Sequence, residues 1–481
     1  KSSWGWCCSA WLWVWIVGSP QFVIWTTITL MDVGLWTCVF VLGSLATVKA
    51  ISRIPKRMGE DRSVMLWIGL MSLTRSEGLY LCLIWIAVLG WGRWRRHDPY
   101  SRSVRDRLRS IRGPVLTYLG VNFCVIGIRY FYFGYPFPNT YYAKVSPELF
   151  YNLKLGVGYA WLFLKFQPWV IPCIGLVFWQ ASRFIRGQCY RESGSHAVTP
   201  QQSSDAALAV ITLLAMVCPV LTGGDHFDYA RFFQPCWPLL GLVGIGAFGK
   251  LMTSWKFTEN GMNGKSVTLV LVLAAALLLV QKPSWIGMLR TRGHDTQMRH
   301  DFVLALRGRE LGQLLNGFSS RLEKSDGVGQ LYVQPMLLGT LTTGGVGYTY
   351  KGPKFDVLGL NDVRMAHSSG DRRGNKNHAA FDKDVFLERM PDMFAAKPVQ
   401  KLPREGRHIF PSQNSFWQES LLQLDKDPRF LKSYTPVAIR LYVRHASSQK
   451  LAMPMITAWL RTDFLNQIRH ETSSYTIEVL P

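Results

Sequence analysis

The chain has 481 residues, of which 48% are hydrophobic, 13% are aromatic and only 18% are charged. Soluble domains carry about 25% charged residues, so the composition argues against an ordinary soluble protein and favours one that crosses a bilayer. The net charge of +23 does not indicate nucleic-acid binding, because the basic residues cluster in short loops between apolar runs.

The nine cysteines all precede residue 282, mostly within apolar runs, and no zinc-type CxxC pair occurs. They predict neither a disulfide framework nor a zinc site. We therefore divide the chain into a multi-span membrane domain over residues 1–281 and a soluble, extracytoplasmic domain over residues 282–481.

Apolar runs predict a polytopic α-helical membrane protein with about nine spans. Several runs are shorter than the ~20 residues that cross a bilayer, and 63–74 is the weakest. The runs are 4–18, 32–49, 63–74, 77–91, 114–132, 167–182, 204–221, 235–249 and 265–281.

Basic loops predict the orientation of these spans. Arg and Lys accumulate in the loops 50–62, 92–113, 183–203 and 250–264, and such loops favour the cytoplasmic side. If all four are cytoplasmic, the nine spans alternate consistently. The other loops, and everything after residue 281, then face outward. In that arrangement the aromatic segment 150–166 lies along the interface; the alternative is a tenth span.

After residue 281 the pattern becomes that of a small α/β domain. Residues 297–323 predict an amphipathic helix, and strand-like runs follow at 329–333, 355–359, 437–443 and 475–480. Glycines at 344, 345 and 347 predict loops.

The first candidate motif is Phe137-Pro138-Asn139-Thr140-Tyr141-Tyr142-Ala143-Lys144, in an outer loop. Asn139, Tyr141 and Lys144 offer amide, phenol and ammonium groups at the membrane surface. The alternative is an aromatic belt with a snorkelling lysine.

The second motif runs from Thr222 to Phe232 and contains Gly223-Gly224-Asp225-His226 and Arg231. Ionisable residues between apolar spans are functional candidates. Asp225 could act as a general base, and Arg231 could pair with phosphate. The alternative is a loop in which an aspartate simply neutralises Arg231.

The third motif is Thr74-Arg75-Ser76-Glu77-Gly78, between two short spans, with Asp32 at the start of another span. Arg75 and Glu77 could bind substrate or only pair with each other. Asp32 could be a site residue or a charge near a helix N-terminus.

The fourth motif lies in the soluble region, where a strand-like run leads from Asp356 to Asp362 and is followed by His367 and His378. Asp and Asn also favour turns, and the histidines lack a third metal ligand at a convincing spacing. The predicted orientation places all four motifs outside, where cations, carboxylates and aromatic rings together suit a sugar carried on a lipid phosphate.

At these motifs the sequence resembles bacterial membrane glycosyltransferases of the GT-C fold, close to the terminal arabinofuranosyltransferases of mycobacterial cell-wall synthesis. The resemblance covers residues 19–395. It is carried by Ser19-Pro20 before Met31-Asp32, Thr74 to Gly78, Pro138 to Lys144, Gly223-Gly224-Asp225 with Arg231-Phe232, Asp356 to Asp362, and His378 with Pro391-Asp392.

The resemblance implies a glycosyltransferase of the bacterial inner membrane. It would transfer a sugar, such as arabinofuranose, from a polyprenyl-phosphate donor to a cell-envelope glycan or glycolipid on the outer face. Asp225 would be catalytic. The implied substrate-binding residues are Asn139, Tyr141, Lys144, His226, Arg231, Arg75, Glu77, Asp32, Asp362 and His378. No cofactor is indicated with certainty, and a divalent metal is left open.

The family also carries paired acidic residues in a first outer loop. This sequence begins at Lys1 and has no acidic residue before Asp32, so we expect its N-terminal part to be missing. Two other functions stay open. One is a transporter of lipid-linked sugar, which predicts buried polar residues and inverted repeats. The other is an inactive glycan-binding membrane protein.

Overall fold

A computed structural model describes most of the chain. The described residues are 3–28, 32–51, 61–96, 104–185, 200–254, 272–273, 276–277, 279, 286, 297–324, 335–341, 343–370, 372–375, 378–400, 415–442, 455–468 and 475–480. The chain divides into two compact units. The first comprises residues 1–137 and 149–294, and the second comprises residues 138–148 and 295–481. The predicted boundary at 281/282 lies outside the described residues.

The first unit is a bundle of helices. They are α1 (Ser3–Val17), α2 (Pro20–Val23), α3 (Val33–Ile51), α4 (Arg62–Thr74), α5 (Gly78–Arg96), α6 (Val104–Phe133), α8 (Leu149–Phe166), α9 (Val170–Ile185), α10 (Pro200–Leu221) and α11 (Trp237–Ser254). A π-helical turn (Ile24–Ile28) follows α2, and a 3₁₀ segment (Asp228–Cys236) precedes α11. Helix α7 (Asn139–Lys144) belongs to the second unit.

Four of these helical segments are long and apolar enough to cross a membrane: Val33–Ile51, Leu108–Phe133, Ser204–Leu221 and Tyr229–Leu251. Two bent pairs raise the number to six if each pair is one span. The segments Cys8–Val17 and Pro20–Thr27 bend by 68° relative to each other, and α8 and α9 bend by 115°. Helix α4 and the apolar part of α5 are shorter. The membrane character of the unit is therefore supported, whereas nine spans and the GT-C fold stay predictions; the run 265–281 falls largely outside the described residues.

The predicted basic loop 92–113 is wrong at both ends. Helix α5 continues to Arg96, and α6 begins at Val104. Arg93, which we counted as a loop cation, is only 1% exposed and pairs with Asp61. An arginine can extend a helix and bury its stem, so a basic residue after an apolar run does not by itself end the helix.

The core of the first unit is built on large aromatic side chains. Trp15, Trp85 and Trp237 are each at most 1% exposed. Trp15 and Trp237 stack at 4.3 Å, and each indole N–H donates to the other residue's backbone carbonyl. Buried indoles are stable only when their N–H finds an acceptor, so this pair fixes α1 against α11.

In its described residues, the second unit is a six-stranded mixed sheet with helices. Its strands are β1 (Leu338–Thr340), β2 (Lys354–Asp356), β3 (Met393–Val399), β4 (Tyr434–Leu441), β5 (Met455–Arg461) and β6 (Tyr475–Val479), in the order β2-β1-β3-β5-β4-β6. β1 is parallel to β2 and β3, and the other neighbours are antiparallel. Its longer helices are α12 (Gln297–Lys324), α13 (Thr343–Thr349) and α15 (Lys383–Arg389), joined by α14 (Val363–Ala366), α16 (Ser415–Ser420), α17 (Pro428–Ser433) and α18 (Thr462–Gln467).

Two apolar clusters cover the two faces of this sheet. Val437 and Ile439 pack with Phe318 of α12 on one face, whereas Ala438 packs with Phe430 on the other. This alternation follows from the period of two along a strand. The predicted amphipathic helix at 297–323 and the strands near 355, 437 and 475 are confirmed; the predicted strand 329–333 lies outside the described residues.

The prediction of loops at Gly344, Gly345 and Gly347 is wrong, because all three lie in α13. A Cβ at Gly345 would overlap the backbone carbonyl of Ala305 in α12. The glycine therefore permits two helices to approach closely, which a local sequence pattern does not distinguish from a turn.

Candidate functional site

Two of the sequence motifs meet at one end of the helices in the first unit. Asp32 lies where α3 begins, and Arg75 and Glu77 form the turn between α4 and α5. Asp225 and Arg231 lie between the end of α10 and the start of α11. We call these five residues the charged cluster.

Arg75 joins two carboxylates. Its Nη1 donates to Asp32 Oδ2 at 2.6 Å, and its Nη2 and Nε donate to the two oxygens of Glu77 at 3.1 and 3.2 Å. Burial alone would favour the neutral forms, but the ion pair prevails: the pKa of Arg75 is raised and that of Glu77 is lowered. Both groups are therefore charged. The pairing of Arg75 with Glu77 that we left open is present, and it includes Asp32.

The second half of the cluster is built on a glycine turn. Gly224 has a φ of +69°, and any side chain there would collide with the ring of Tyr159 on α8. The turn buries the Asp225 carboxylate, which is 1% exposed. Asp225 pairs with the Nε of Arg231, accepts from the backbone N–H of His226 at 2.9 Å, and lies 3.2 Å from His226 Nδ1.

One aromatic ring connects the two halves. The guanidinium carbons of Arg75 and Arg231 lie 5.1 and 5.0 Å from the centroid of the Phe232 ring. Trp36 lies 4.8 Å from Arg75, and Phe227 lies 4.2 Å from Arg231. Cation–π contacts of this kind contribute about 0.5–2 kcal/mol each, so the rings add to the ion pairs in holding both arginines.

The charged cluster has an excess of negative charge. Three carboxylates and two guanidinium groups give a formal charge of 2 − 3 = −1 with His226 neutral. Asp32 is the accessible carboxylate, at 45% exposure, and His226 is 28% exposed. An anionic ligand would thus have to exchange with a carboxylate, whereas a hydroxyl group could donate directly to Asp32.

The first motif lies in the second unit. Helix α7 carries Asn139, Tyr141 and Lys144, and its buried Ala143 packs against Ala366 and Ala380. Arg372 donates to the carbonyl of Tyr142 at 3.0 Å and to the carbonyls of Ala366, Ser368 and Gly370 at 2.8 to 3.0 Å. The His367 ring lies 4.0 Å from the Tyr142 ring.

The other predicted residues of the second unit have structural contacts. Asp362 caps α14 by accepting from the N–H of Met365 at 2.9 Å, and it lies 3.4 Å from Arg389. His378 packs edge-on against the rings of Phe416 and Trp417. The turn preference of aspartate, which we left open for Asp362, therefore accounts for its position, and no substrate role is needed to explain it.

Each unit thus gathers part of the predicted site. Asp32, Arg75, Glu77, Asp225, His226 and Arg231 meet in the first unit; Asn139, Tyr141, Lys144, Asp362 and His378 lie in the second. A single site made of both sets stays a prediction. Among the described residues, no three His, Cys, Asp or Glu side chains are grouped so as to hold a metal ion, and the metal requirement stays open.

The residues that support these groups could not be recognised from the sequence. Trp36 looked like an ordinary apolar residue of a helix, and Tyr159 belonged to the aromatic segment predicted at the interface. The role of each depends on which other helix it faces. Arg372 lacked any signal, although it is 7% exposed and has a φ of +59°. A buried arginine in the left-handed region is rare, but only the folded chain shows it.

No family model, curated protein or solved structure matches this chain.

Proposed function

We propose that the protein is a membrane glycosyltransferase that uses a polyprenyl-phosphate sugar, such as an arabinofuranose donor, to modify a cell-envelope glycan or glycolipid. The proposal combines the motif resemblance with the charged cluster. The observation that carries it is the Phe232 ring, which brings together the arginines of two motifs more than 140 residues apart. Arg231 is predicted to pair with phosphate, and Arg75 is among the predicted substrate-binding residues.

In this proposal the arginines hold the donor phosphate. Arg231 and Arg75 have aromatic rings on one side, so a phosphate can take the place of a carboxylate oxygen while the guanidinium groups stay in position. Guanidinium groups bind phosphate through two parallel hydrogen bonds. Aromatic side chains also suit the apolar faces of a sugar ring.

The transfer needs a base for the acceptor hydroxyl. Asp225, which we predicted as catalytic, is buried, but His226 is partly exposed and its Nδ1 faces Asp225. When a carboxylate accepts from Nδ1, Nε2 is the ring nitrogen whose lone pair can take a proton. We propose that Asp225 acts through His226: Nε2 accepts the hydroxyl proton as the acceptor oxygen bonds to the anomeric carbon and the bond from that carbon to the phosphate breaks.

The test is a transfer assay with the whole chain in membranes. The donor is radiolabelled polyprenyl-phosphate arabinofuranose, and the acceptors are arabinan oligosaccharides. Arg231→Ala should lower transfer by at least about 100-fold, since a lost charge-assisted contact costs about 3 kcal/mol. Arg183→Ala is the matched control, because Arg183 also lies over an indole ring, that of Trp179, at 5.5 Å.

Two results would contradict the proposal. One is transfer at the wild-type rate by Arg231→Ala, which would remove Arg231 from the site. The other is the absence of labelled product with the wild-type chain and every donor sugar tried.

One observation favours a second function, transport of a lipid-linked sugar. Both bent helix pairs break where buried polar side chains meet: Gln167 of the α8–α9 break contacts Ser19 and Gln21 of the α1–α2 break. Broken helices of this kind form substrate and ion sites in transporters. Movement of a fluorescent polyprenyl-phosphate sugar across proteoliposomes, without any acceptor, would support transport over transfer.

A further inference from the structure

Two breaks in candidate membrane spans lie against each other in the first unit. The first is Gly18-Ser19, between α1 and α2, and the second is Gln167-Pro168-Trp169, between α8 and α9. Pro20 directly follows the first break, and Pro168 lies within the second. Proline has no N–H to offer the carbonyl four residues earlier, so the last turn of α1 and of α8 each retains a carbonyl that its own helix does not satisfy.

Three polar side chains fill the junction of these breaks. Ser19, Gln21 and Gln167 are 0%, 4% and 1% exposed. The Gln167 Nε2 donates to Ser19 Oγ at 3.3 Å and to Gln21 Oε1 at 3.4 Å, and Ser19 Oγ donates to Gln21 Oε1 at 3.3 Å. The other amide atom, Gln167 Oε1, is buried without a hydrogen-bond partner, which is costly for a carbonyl oxygen.

The spacing of the three groups is wider than that of ordinary hydrogen bonds, which are about 2.7–3.2 Å long for N–H···O and about 2.5–3.0 Å long for O–H···O. A turn of the Gln167 amide by 180° exchanges its oxygen and nitrogen. Three oxygens would then face one another at 3.3, 3.3 and 3.4 Å. Neighbouring ligands of an octahedral ion bound at about 2.4 Å, the distance typical of calcium-sized cations, are about 3.4 Å apart.

The charge of the junction selects among cations of this size. Its three side chains are neutral, and a calcium site needs carboxylates. Magnesium, bound at about 2.1 Å, would require oxygens only about 3.0 Å apart. Sodium has nearly the radius of calcium and one unit of charge, and it is commonly bound by amide, hydroxyl and unwound backbone oxygens at helix breaks.

We infer that the junction of the two helix breaks is a sodium site, with Ser19 Oγ, Gln21 Oε1 and Gln167 Oε1 as three ligands. Backbone carbonyls of the breaks or water would complete the coordination. The ion would fix α2 relative to α8. Trp25, which follows α2 in the π-helical turn, lies 5.5 Å from Arg231, so the site would also stabilise one wall of the charged cluster. The inference does not depend on the proposed glycosyl transfer.

The test is sodium binding by the whole chain purified in maltoside detergent. Thermal unfolding is followed while sodium chloride replaces choline chloride at constant ionic strength. A ligand that binds only the folded state raises the unfolding temperature in a saturable way. We expect this with sodium, and we expect potassium to require at least about tenfold higher concentrations, equivalent to about 1.4 kcal/mol.

Variants locate the site. Gln167→Leu should abolish the sodium dependence. Gln180→Leu should retain it, because Gln180 is also 1% exposed and its Oε1 also lacks a partner, but it lies within α9 rather than at a break. If Gln167→Leu fails to fold, Ser19→Ala provides the second test, with an expected sodium midpoint about tenfold higher than that of the wild-type chain.

Direct binding of radioactive sodium gives a readout that is independent of stability and of any sugar donor. An equal stabilisation by sodium, potassium and choline would overturn the inference. So would a wild-type sodium midpoint in a folded Gln167→Leu variant. If the wild-type chain binds sodium but transfers no sugar, the result contradicts the proposed function and leaves the sodium site intact.

Discussion

Arg93 offers the sharpest test of how the helices of the first unit are held together. It lies about four turns after the start of α5, roughly 22 Å along the helix axis, at the end of α5 remote from the charged cluster. Its Nη1 and Nη2 donate to the two oxygens of Asp61 at 2.9 and 2.8 Å. They also donate to the carbonyls of Ser110 and Ala50. One side chain therefore joins α3, α4, α5 and α6.

Arg93→Leu should destabilise the protein by about 3–5 kcal/mol. The reason is that Asp61, only 8% exposed, would keep a buried charge without its partner, and breaking a buried pair on one side costs about that much. Asp61→Leu with Arg93→Leu removes both charges. The double variant should regain about 2–3 kcal/mol relative to Arg93→Leu, because replacing both partners by apolar groups is much less costly.

The assay is equilibrium unfolding in mixed maltoside and dodecyl-sulphate micelles, followed by circular dichroism. Arg62→Leu is the control: Arg62 is adjacent to Asp61 but exposed, and its effect should stay within about 0.5 kcal/mol. The reasoning is refuted if the free energy of unfolding of Arg93→Leu lies within about 1 kcal/mol of the wild-type value. It is also refuted if the losses of the single variants Arg93→Leu and Asp61→Leu simply add in the double variant, because the buried pair then does not hold these helices together.

Three further predictions concern the second unit. Arg372→Met should increase hydrogen exchange in 139–145, since the guanidinium no longer binds the Tyr142 carbonyl. Arg373→Met, which loses the exposed ion pair with Glu148, should not. Burial and the charge of Arg372 lower the pKa of His367 in the folded protein, so the neutral imidazole stabilises the fold. Protection of 139–145 from hydrogen exchange should be full above the unfolded pKa of about 6.5 and should fall as the pH drops through the lower folded pKa. Protection that stays constant from pH 7 to 5 would contradict this. Gly345→Ala should reduce the thermal stability of this unit by clashing with Ala305, whereas Gly344→Ala, with open space around its Cβ position, should be neutral or stabilising by up to about 1 kcal/mol; equal effects would refute the close packing.

The sequence by itself determined the local elements that depend on composition and periodicity. Where the structure describes them, the apolar runs of at least 15 residues became helices, because a long apolar helix satisfies its backbone internally whatever it packs against. The Ser19-Pro20 pair became a helix break with Ser19 as N-cap of α2. The amphipathic pattern from 297 became α12, since one apolar face is enough to specify a surface helix.

The strands predicted near 355, 437 and 475 each contain at least one exposed residue. β5 was missed because Met455 to Leu460 are all buried, so the alternation that reveals a strand is absent. The short β1 gave too few residues for any pattern. Burial on two sides removed the sequence signal of β5, and the short length of β1 removed its own.

Only the tertiary structure decided which charges meet. The sequence presented Arg75 and Arg231 as members of separate loops, and Glu77 and an aspartate as neutralising partners close in sequence. Packing of α3, α5 and α10 added Asp32 and the Phe232 ring, and folding assigned residues 138–148 to the C-terminal unit. Contacts between residues far apart in sequence depend on helix rotation and crossing, which the local pattern does not encode, and for that reason the chemistry of the candidate site emerged only with the fold.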